Sequence, residues 1–301
     1  MKWQLRFLKN TLSGFLPFSR QIRKLKGDLF PGRVAPEAVE QGIRQAELLL
    51  SAGCKTEGRT LLEAGPGWMP VIPIIFYLSG CKEIILMDVE RLITRRTMIG
   101  TVEGLREYKH MISGRLKIPV PEVERKLGID RSVALEKMLG NFNMQYMAPC
   151  DIPEAGLPDK SVDIITSRAT LEHVPEAAIP GLLAVFNRIL KDDGKMCHII
   201  DNSDHWAHND NSIPRLNYLK FNENIFEAVL SLDRLDYQNR LRHFEYVEVF
   251  KRAGFKIDYE KAEVDETALN ELKDIKVCKR YANIPSRELA KLVSYIVASK
   301  A

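Results

Sequence analysis

Along most of this 301-residue chain, short apolar runs that end on turn residues alternate with longer stretches of helical period. From residue 36, "PEAVEQGIRQAELLLSAG" spaces its apolar residues as a helix does and stops at a glycine. "RTLLEAG" then reads as a first strand, "PVIPIIFYLSG" as a helix opening at Pro70, and "KEIILMD" as a second strand closing on Asp88. Strand, helix, strand with short links predicts a parallel sheet. Residues 89–143 interrupt the rhythm with helical stretches, so a helical insertion is expected there. "FNMQYMAPCD" and "SVDIITSR" follow as strands three and four, then the amphipathic helix "EAAIPGLLAVFNRILKDDG" and a fifth strand, "KMCHIID". A helix, a glycine stop and a sixth strand are read in "EYVEVFKRAGFKIDYEKAEV", and a final helix and seventh strand in "SRELAKLVSYIVASK". The expected organisation is an N-terminal helical extension over 1–54 and one α/β domain over 55–301. That domain would carry the insertion and a lid-like segment at about 202–245.

Composition changes this picture little. Hydrophobic residues at 45% and charged residues at 28% suit a soluble protein with a proper core. A net charge of +4 without a basic tract gives no reason to expect nucleic acid. The five cysteines are scattered and form no CxxC pair, which argues against a disulfide framework or zinc site and for a reducing cytosol. No run approaches the roughly 18 apolar residues that span a bilayer. Residues 1–26 hold seven Lys or Arg and no acid, interleaved with apolar side chains. This segment suits a helix on an anionic membrane surface, or one that packs on the domain and keeps its basic face wet. Lys9 breaks any signal-peptide core.

In an open parallel sheet, ligands bind beyond the carboxyl ends of the strands. Polar or glycine-rich groups follow all five of the first predicted strands: Glu63, Gly65 and Gly67; Asp88; Asp151; "SRATLEH"; and "DNSDHWAH". A dinucleotide fingerprint would need a third glycine where "GPGWMP" has Pro70. A glycine turn with an acid about twenty residues later suits instead a nucleoside without phosphate.

"LLEAGPG", "IILMD", "APCD" and "SVDIITSRATLEHV" resemble, in order and spacing, the motifs of class I S-adenosylmethionine-dependent methyltransferases. The resemblance covers about 55–301. It implies a Rossmann-like, mostly parallel seven-stranded sheet with helices on both faces and an antiparallel last strand. The implied cofactor is S-adenosylmethionine, with S-adenosylhomocysteine as product. Glu63, Gly65, Pro66 and Gly67 would line its methionine end, and Asp88 would hold the ribose hydroxyls. Cys150 and Asp151 would meet the adenine, with Ser167 and Arg168 beneath the cofactor.

An alcohol or phenol acceptor gains from a base, and histidine is the natural one near neutral pH. His205 is expected to be that base, with Asp204 or Asp201 orienting it and His208 beside it. His173, Trp206, Arg240 and Arg242 are expected on the acceptor side, the arginines as clamps for an anionic substrate. "LEHV" is similar to the segment that supplies metal ligands as ExxEH in ubiquinone-type O-methyltransferases and small-RNA 2′-O-methyltransferases. Glu172 and His173 are present but Ala169 stands in place of the first acid, so no metal is assigned, although His205 and His208 could complete a hard-ligand site with Glu172. The expected activity is methylation of a small-molecule acceptor, most readily at oxygen. Alternatives are a lipid or lipid-linked glycan acceptor reached through residues 1–26, and a non-catalytic partner subunit that keeps the cofactor fold. A nicotinamide-dependent dehydrogenase is disfavoured by Pro70 and by the lack of a Tyr-x-x-x-Lys pair. Neither the acceptor nor the oligomeric state is read from the sequence.

Overall fold

The computed structural model describes residues 32–230 and 237–301; the basic segment 1–26 lies outside them. Among the described residues, seven strands form one sheet in the order β3-β2-β1-β4-β5-β7-β6. They are β1 (Thr60–Ala64), β2 (Glu83–Met87), β3 (Met144–Met147), β4 (Val162–Arg168), β5 (Leu190–Asp201), β6 (Phe255–Lys261) and β7 (Val293–Lys300). The first five pair in parallel, and β7 runs antiparallel between β5 and β6. The predicted sheet and its reversed last strand are therefore present. β3 ends earlier than "FNMQYMAPCD" suggested, because Pro149 has no N–H to donate to a ladder.

Both faces of the central strands are buried, which is why they read as continuous apolar runs. Leu61, Ile84, Leu86 and Ile164 turn to one core, shared with α1 (Pro36–Ser51) and α2 (Val71–Leu78). Leu62, Ile85, Met87 and Ile165 turn to the other, which the later helices cover. The insertion folds as α3 (Arg95–Glu107), α4 (Lys109–Leu116), α5 (Val120–Lys126) and α6 (Leu135–Asn141). Thr94 caps α3 by accepting from Thr97 N, while Thr97 Oγ1 accepts from Thr94 N. Met98, Val102, Leu105 and Ile112 carry the insertion into the first core. It extends that layer and, apart from Val89, supplies none of the wall of the cleft described below.

The helix α1 is stitched to the sheet. Gln45, fully buried, donates from Nε2 to Ser167 O at 3.0 Å and Cys197 O at 2.9 Å. On the opposite face lie α7 (Ile179–Ile189) and, after α8 (Glu223–Leu230), α9 (His243–Arg252). A third cluster joins Trp206, Leu216, Tyr218, Phe226, Tyr281 and Leu289 beyond the ends of β5 and β7. It links the chain after β5 to α10 (Glu266–Glu271) and α11 (Ser286–Leu289). Among the described residues, no helix is long and apolar enough to cross a membrane.

Candidate functional site

A cleft of about 370 Å³ opens at the carboxyl ends of β1, β2 and β4, where the strand order reverses. Its size falls in the usual range for ligand clefts, about 300–1,000 Å³. Gly65, Asp88, Val89, Cys150, Asp151 and Thr170 lie on its wall. Gly65 and Gly67 have φ of +70° and +64°, the left-handed region that favours glycine. The two differ in surroundings. A Cβ on Gly65 would sit 2.6 Å from Thr170 Cγ2 and Oγ1, whereas one on Gly67 would meet nothing within 4 Å. The chain's own threonine therefore presses against the first glycine, and open space faces the second.

Asp88 ties three strand ends together. Its Oδ2 accepts from Gly67 N at 3.3 Å and its Oδ1 from Glu90 N at 3.0 Å, while its carbonyl accepts from Cys150 N at 2.9 Å. Asp151 is exposed on the same wall. The expected ribose and adenine acids are thus in one cleft with the glycine turn. Pro66 is the half-buried middle of that turn.

Glu63, Ser167 and Arg168 stand behind this wall. Glu63 accepts a short hydrogen bond from Thr166 Oγ1, and burial pushes its carboxyl up to about 8 against that bond and the Arg168 charge. The Ser167 hydroxyl pairs at 2.7 Å with His198 Nδ1. Burial holds that imidazole down at about 3, and it stacks on Phe186 in the second core. Arg168 Nε donates to Gln41 Oε1 on α1.

The raised Glu63 has a consequence for stability. Between about pH 4.5 and 8 the unfolded chain releases a proton that the folded chain keeps, so stability falls as pH rises through that window. The steepest slope from this group is about 1.4 kcal/mol per pH unit. Glu63→Gln keeps an acceptor for Thr166 and removes the slope. Urea unfolding of both proteins at several pH values measures it, and parallel curves would count against the raised carboxyl.

The histidines form a row that starts on the cleft wall. His173 lines the cleft, its ring centroid lies 5.0 Å from that of His205, and His205 lies 4.7 Å from His208. The carboxylate behind them is Asp201, whose Oδ2 stands 3.6 Å from His205 Nε2 and 3.4 Å from His208 Nε2. Burial alone would raise Asp201; the two imidazoles and the Ser203 hydroxyl hold it well below the usual carboxylate range. Asp204 is engaged elsewhere. It caps the turn His205–Asn209, accepting from Trp206 N at 2.9 Å and from Asn217 Nδ2 at 3.4 Å, and burial pushes it up to about 6. Glu172 is buried beside the row; burial pushes its carboxyl up to about 8, and its Oε1 accepts from Asp201 N at 3.3 Å.

Three acceptor-side expectations are corrected by burial. Trp206 is 9% exposed and packs in the third cluster. Arg240, 1% exposed, donates to Tyr218 O and Phe221 O, pairs with Glu223 at 2.9 Å and stacks 3.8 Å over Phe226. Arg242 is fully buried and donates to Asn202 O, Tyr218 OH, Leu289 O and Lys291 O. These guanidinium groups are buried and taken up by the protein's own carbonyls, the Tyr218 hydroxyl and the Glu223 carboxylate. Sequence reading missed Thr170, whose position just after a strand and its glycine-facing methyl only the fold could join.

The family described as "methyltransferase domain" matches residues 41–260, more than half of the chain. The chain belongs to this family. It is an S-adenosylmethionine-dependent methyltransferase, with S-adenosylmethionine as its methyl donor. No curated protein sequence matches the methyltransferase with significance. Among solved structures it is similar to an S-adenosylmethionine-dependent methyltransferase from Mesorhizobium loti. That protein is 11% identical, with 84% of this chain and 95% of that one covered, at a TM-score of 0.45. It is also similar to the 1,6-didemethyltoxoflavin-N1-methyltransferase of Burkholderia thailandensis, solved with 1,6-didemethyltoxoflavin and S-adenosylhomocysteine bound. There the identity is 15%, the coverage 88% and 78%, and the TM-score 0.46. At scores below 0.5 these are likenesses only, and the assignment rests on the family match. The cleft fits the donor: Asp88 and Asp151 offer carboxylates to hydroxyl and amine groups, and the open side of Gly67 admits a close-packed ligand.

Proposed function

We propose that the methyltransferase acts on an oxygen of a small-molecule acceptor lying between the cleft and the histidine row, with His205 taking the acceptor's proton. The observation that carries this reading is the row itself, which begins on the cleft wall at His173 and is backed by Asp201. S-adenosylmethionine supplies a methyl group on a sulfonium, ready for a single displacement. The protein's task is then to align the nucleophile and remove its proton. Asp201, kept ionised and facing two imidazoles, is placed to hold His205 in one orientation. Asp88, Cys150 and Asp151 would hold the nucleoside, and the Gly65–Gly67 turn its amino-acid end.

Two measurements test this. Calorimetric titration with S-adenosylhomocysteine should give binding that weakens by about 10- to 100-fold, or about 1.4–2.7 kcal/mol, in Asp88→Ala. Equal affinity in the variant would remove Asp88 from the nucleoside site. Phenols, alcohols, amines and carbon acids offered with labelled S-adenosylmethionine identify the acceptor. With an oxygen acceptor, His205→Asn should lower kcat by about 10²–10⁴ and leave KM near its wild-type value. Turnover confined to nitrogen or carbon acceptors, or untouched by the substitution, would defeat the reading.

A further inference from the structure

The histidine row carries more donor atoms than proton transfer uses. The donor atoms of Asp201, His205 and His208 all lie within 4.8 Å of one another, and so do those of Glu172, His173 and His205. His205 belongs to both groups. Two ligands on one ion, each about 2.0–2.2 Å from it, stand about 3–4 Å apart, so side-chain movements of about an ångström close either group. We propose that Asp201, His205 and His208, with Glu172 as a further ligand, form a binding site for a divalent transition-metal cation of the Zn²⁺ or Mn²⁺ kind.

A second observation points the same way. Glu172 is 1% exposed; its Oε1 is engaged by Asp201 N, but its enclosed Oε2 has no hydrogen-bond partner. His205 Nε2 is enclosed and makes no hydrogen bond, facing Asp201 Oδ2 at 3.6 Å as an ion pair when protonated. Buried polar atoms without hydrogen bonds are costly and uncommon, and here they belong to two residues, Glu172 and His205, each of which offers a ligand atom within 4.8 Å of the other's. One cation satisfies both. The supporting shell is built as ligand shells are. Ser203 donates from N at 2.8 Å and from Oγ at 2.6 Å to Asp201 Oδ1, which leaves Oδ2 turned to the imidazoles. His208 Nε2, 3.4 Å from Asp201 Oδ2, also stands 2.9 Å from Ser203 Oγ, a contact that a bound ion would replace.

The donor set selects the ion. Imidazole nitrogen with carboxylate oxygen and no thiolate suits a borderline transition metal, whereas Mg²⁺ and Ca²⁺ prefer oxygen alone. This donor set differs from an ExxEH ligand run: its central carboxylate, Asp201, ends β5, and Ala169 replaces the run's first acid. Occupancy of the site is independent of the acceptor reading; only its consequence rests on it. With the cation bound, His205 is a ligand, and acidifying an acceptor hydroxyl passes from the imidazole to the metal.

Full-length protein stripped with a chelator and desalted should bind one equivalent of Co²⁺ with a visible ligand-field band, displaced by Zn²⁺. His208→Gln and Asp201→Asn should each weaken Co²⁺ binding by about tenfold or more. His110→Gln, an exposed histidine elsewhere, should leave band and affinity unchanged. S-adenosylhomocysteine titration of the same preparations reports whether each variant keeps its folded cofactor cleft. No band in protein that binds S-adenosylhomocysteine overturns the cation site and leaves the histidine-base reading standing. A band that survives both His208→Gln and Asp201→Asn overturns it too, by placing the ion elsewhere. Co²⁺ binding lost in these variants, with methylation confined to nitrogen or carbon, keeps the cation site and removes the oxygen-acceptor reading.

Discussion

Replacing Gly65 with valine is expected to lower stability by about 3–5 kcal/mol and to abolish cofactor binding. Two costs combine. At φ +70° any side chain, and a β-branched one above all, pays the left-handed penalty of about 1–2 kcal/mol. The new Cβ also falls 2.6 Å from the Thr170 methyl and hydroxyl, and overpacking of that kind costs about 1–3 kcal/mol. Thr170 cannot swing aside freely, because its hydroxyl is within hydrogen-bond reach of Ala64 O, Gly65 O and Arg168 O. Displacing it gives up about 1 kcal/mol more. Function follows, since Gly65 N donates to Met87 O at 2.8 Å and so fixes the turn against the residue preceding Asp88.

A comparison at Gly67 separates the two costs. Its φ is +64°, but nothing lies within 4 Å of an added Cβ, so Gly67→Ala should cost only about 1 kcal/mol. Urea unfolding of Gly65→Val, Gly65→Ala and Gly67→Ala measures the contrast. Equal losses for the two alanine variants would mean that the Thr170 contact contributes nothing.

The elements that could be read from the chain are those whose pattern is set locally. Leu61–Leu62, Ile84–Met87 and Ile164–Ile165 are apolar on both faces because two helical layers cover them, and such runs are visible without knowing the layers. The glycine turn and Asp88 were likewise legible, since a tight turn and a strand-end acid carry their signature in spacing. Side-chain partnership was not. Asp201 and Asp204 both stand within four positions of His205, and only the turn at His205–Asn209 decides that Asp204 caps it while Asp201 faces the imidazoles. "RLR" at 240–242 reads as a clamp open to a substrate because its partners come from residues 202, 218–223 and 289–291, far apart in sequence. Composition weights an arginine toward solvent, and nothing local reverses that weight.

That buried arginine yields the other large effect. Arg242→Met is expected to lower stability by about 3–5 kcal/mol, although it leaves much of the side-chain volume in place. Nη1 donates to Asn202 O at 2.6 Å and Tyr218 OH at 2.8 Å, and Nη2 to Leu289 O at 2.7 Å and Lys291 O at 3.1 Å. One planar group thereby joins the end of β5, the turn at Asn217–Lys220, the end of α11 and the entry to β7. Methionine fills the space but leaves Leu289 O without its donor, while Lys291 O keeps only Asn202 Nδ2 at 3.3 Å and Asn202 O only the Tyr218 hydroxyl at 2.6 Å. Arg242→Lys should recover part of the loss, because an ammonium offers three donors from one point and cannot match the fork. The damage should also be local before it is global: hydrogen exchange of amides at 202–220 and 289–293 should speed up more than that of β1, β2 and β4. Because His205 and His208 follow directly from the end of β5, the variant should lose acceptor turnover while retaining much of its affinity for S-adenosylhomocysteine. An unfolding free energy within about 1 kcal/mol of wild type would show that these carbonyls find other donors, and that the guanidinium is not what joins the end of β5 to the entry of β7.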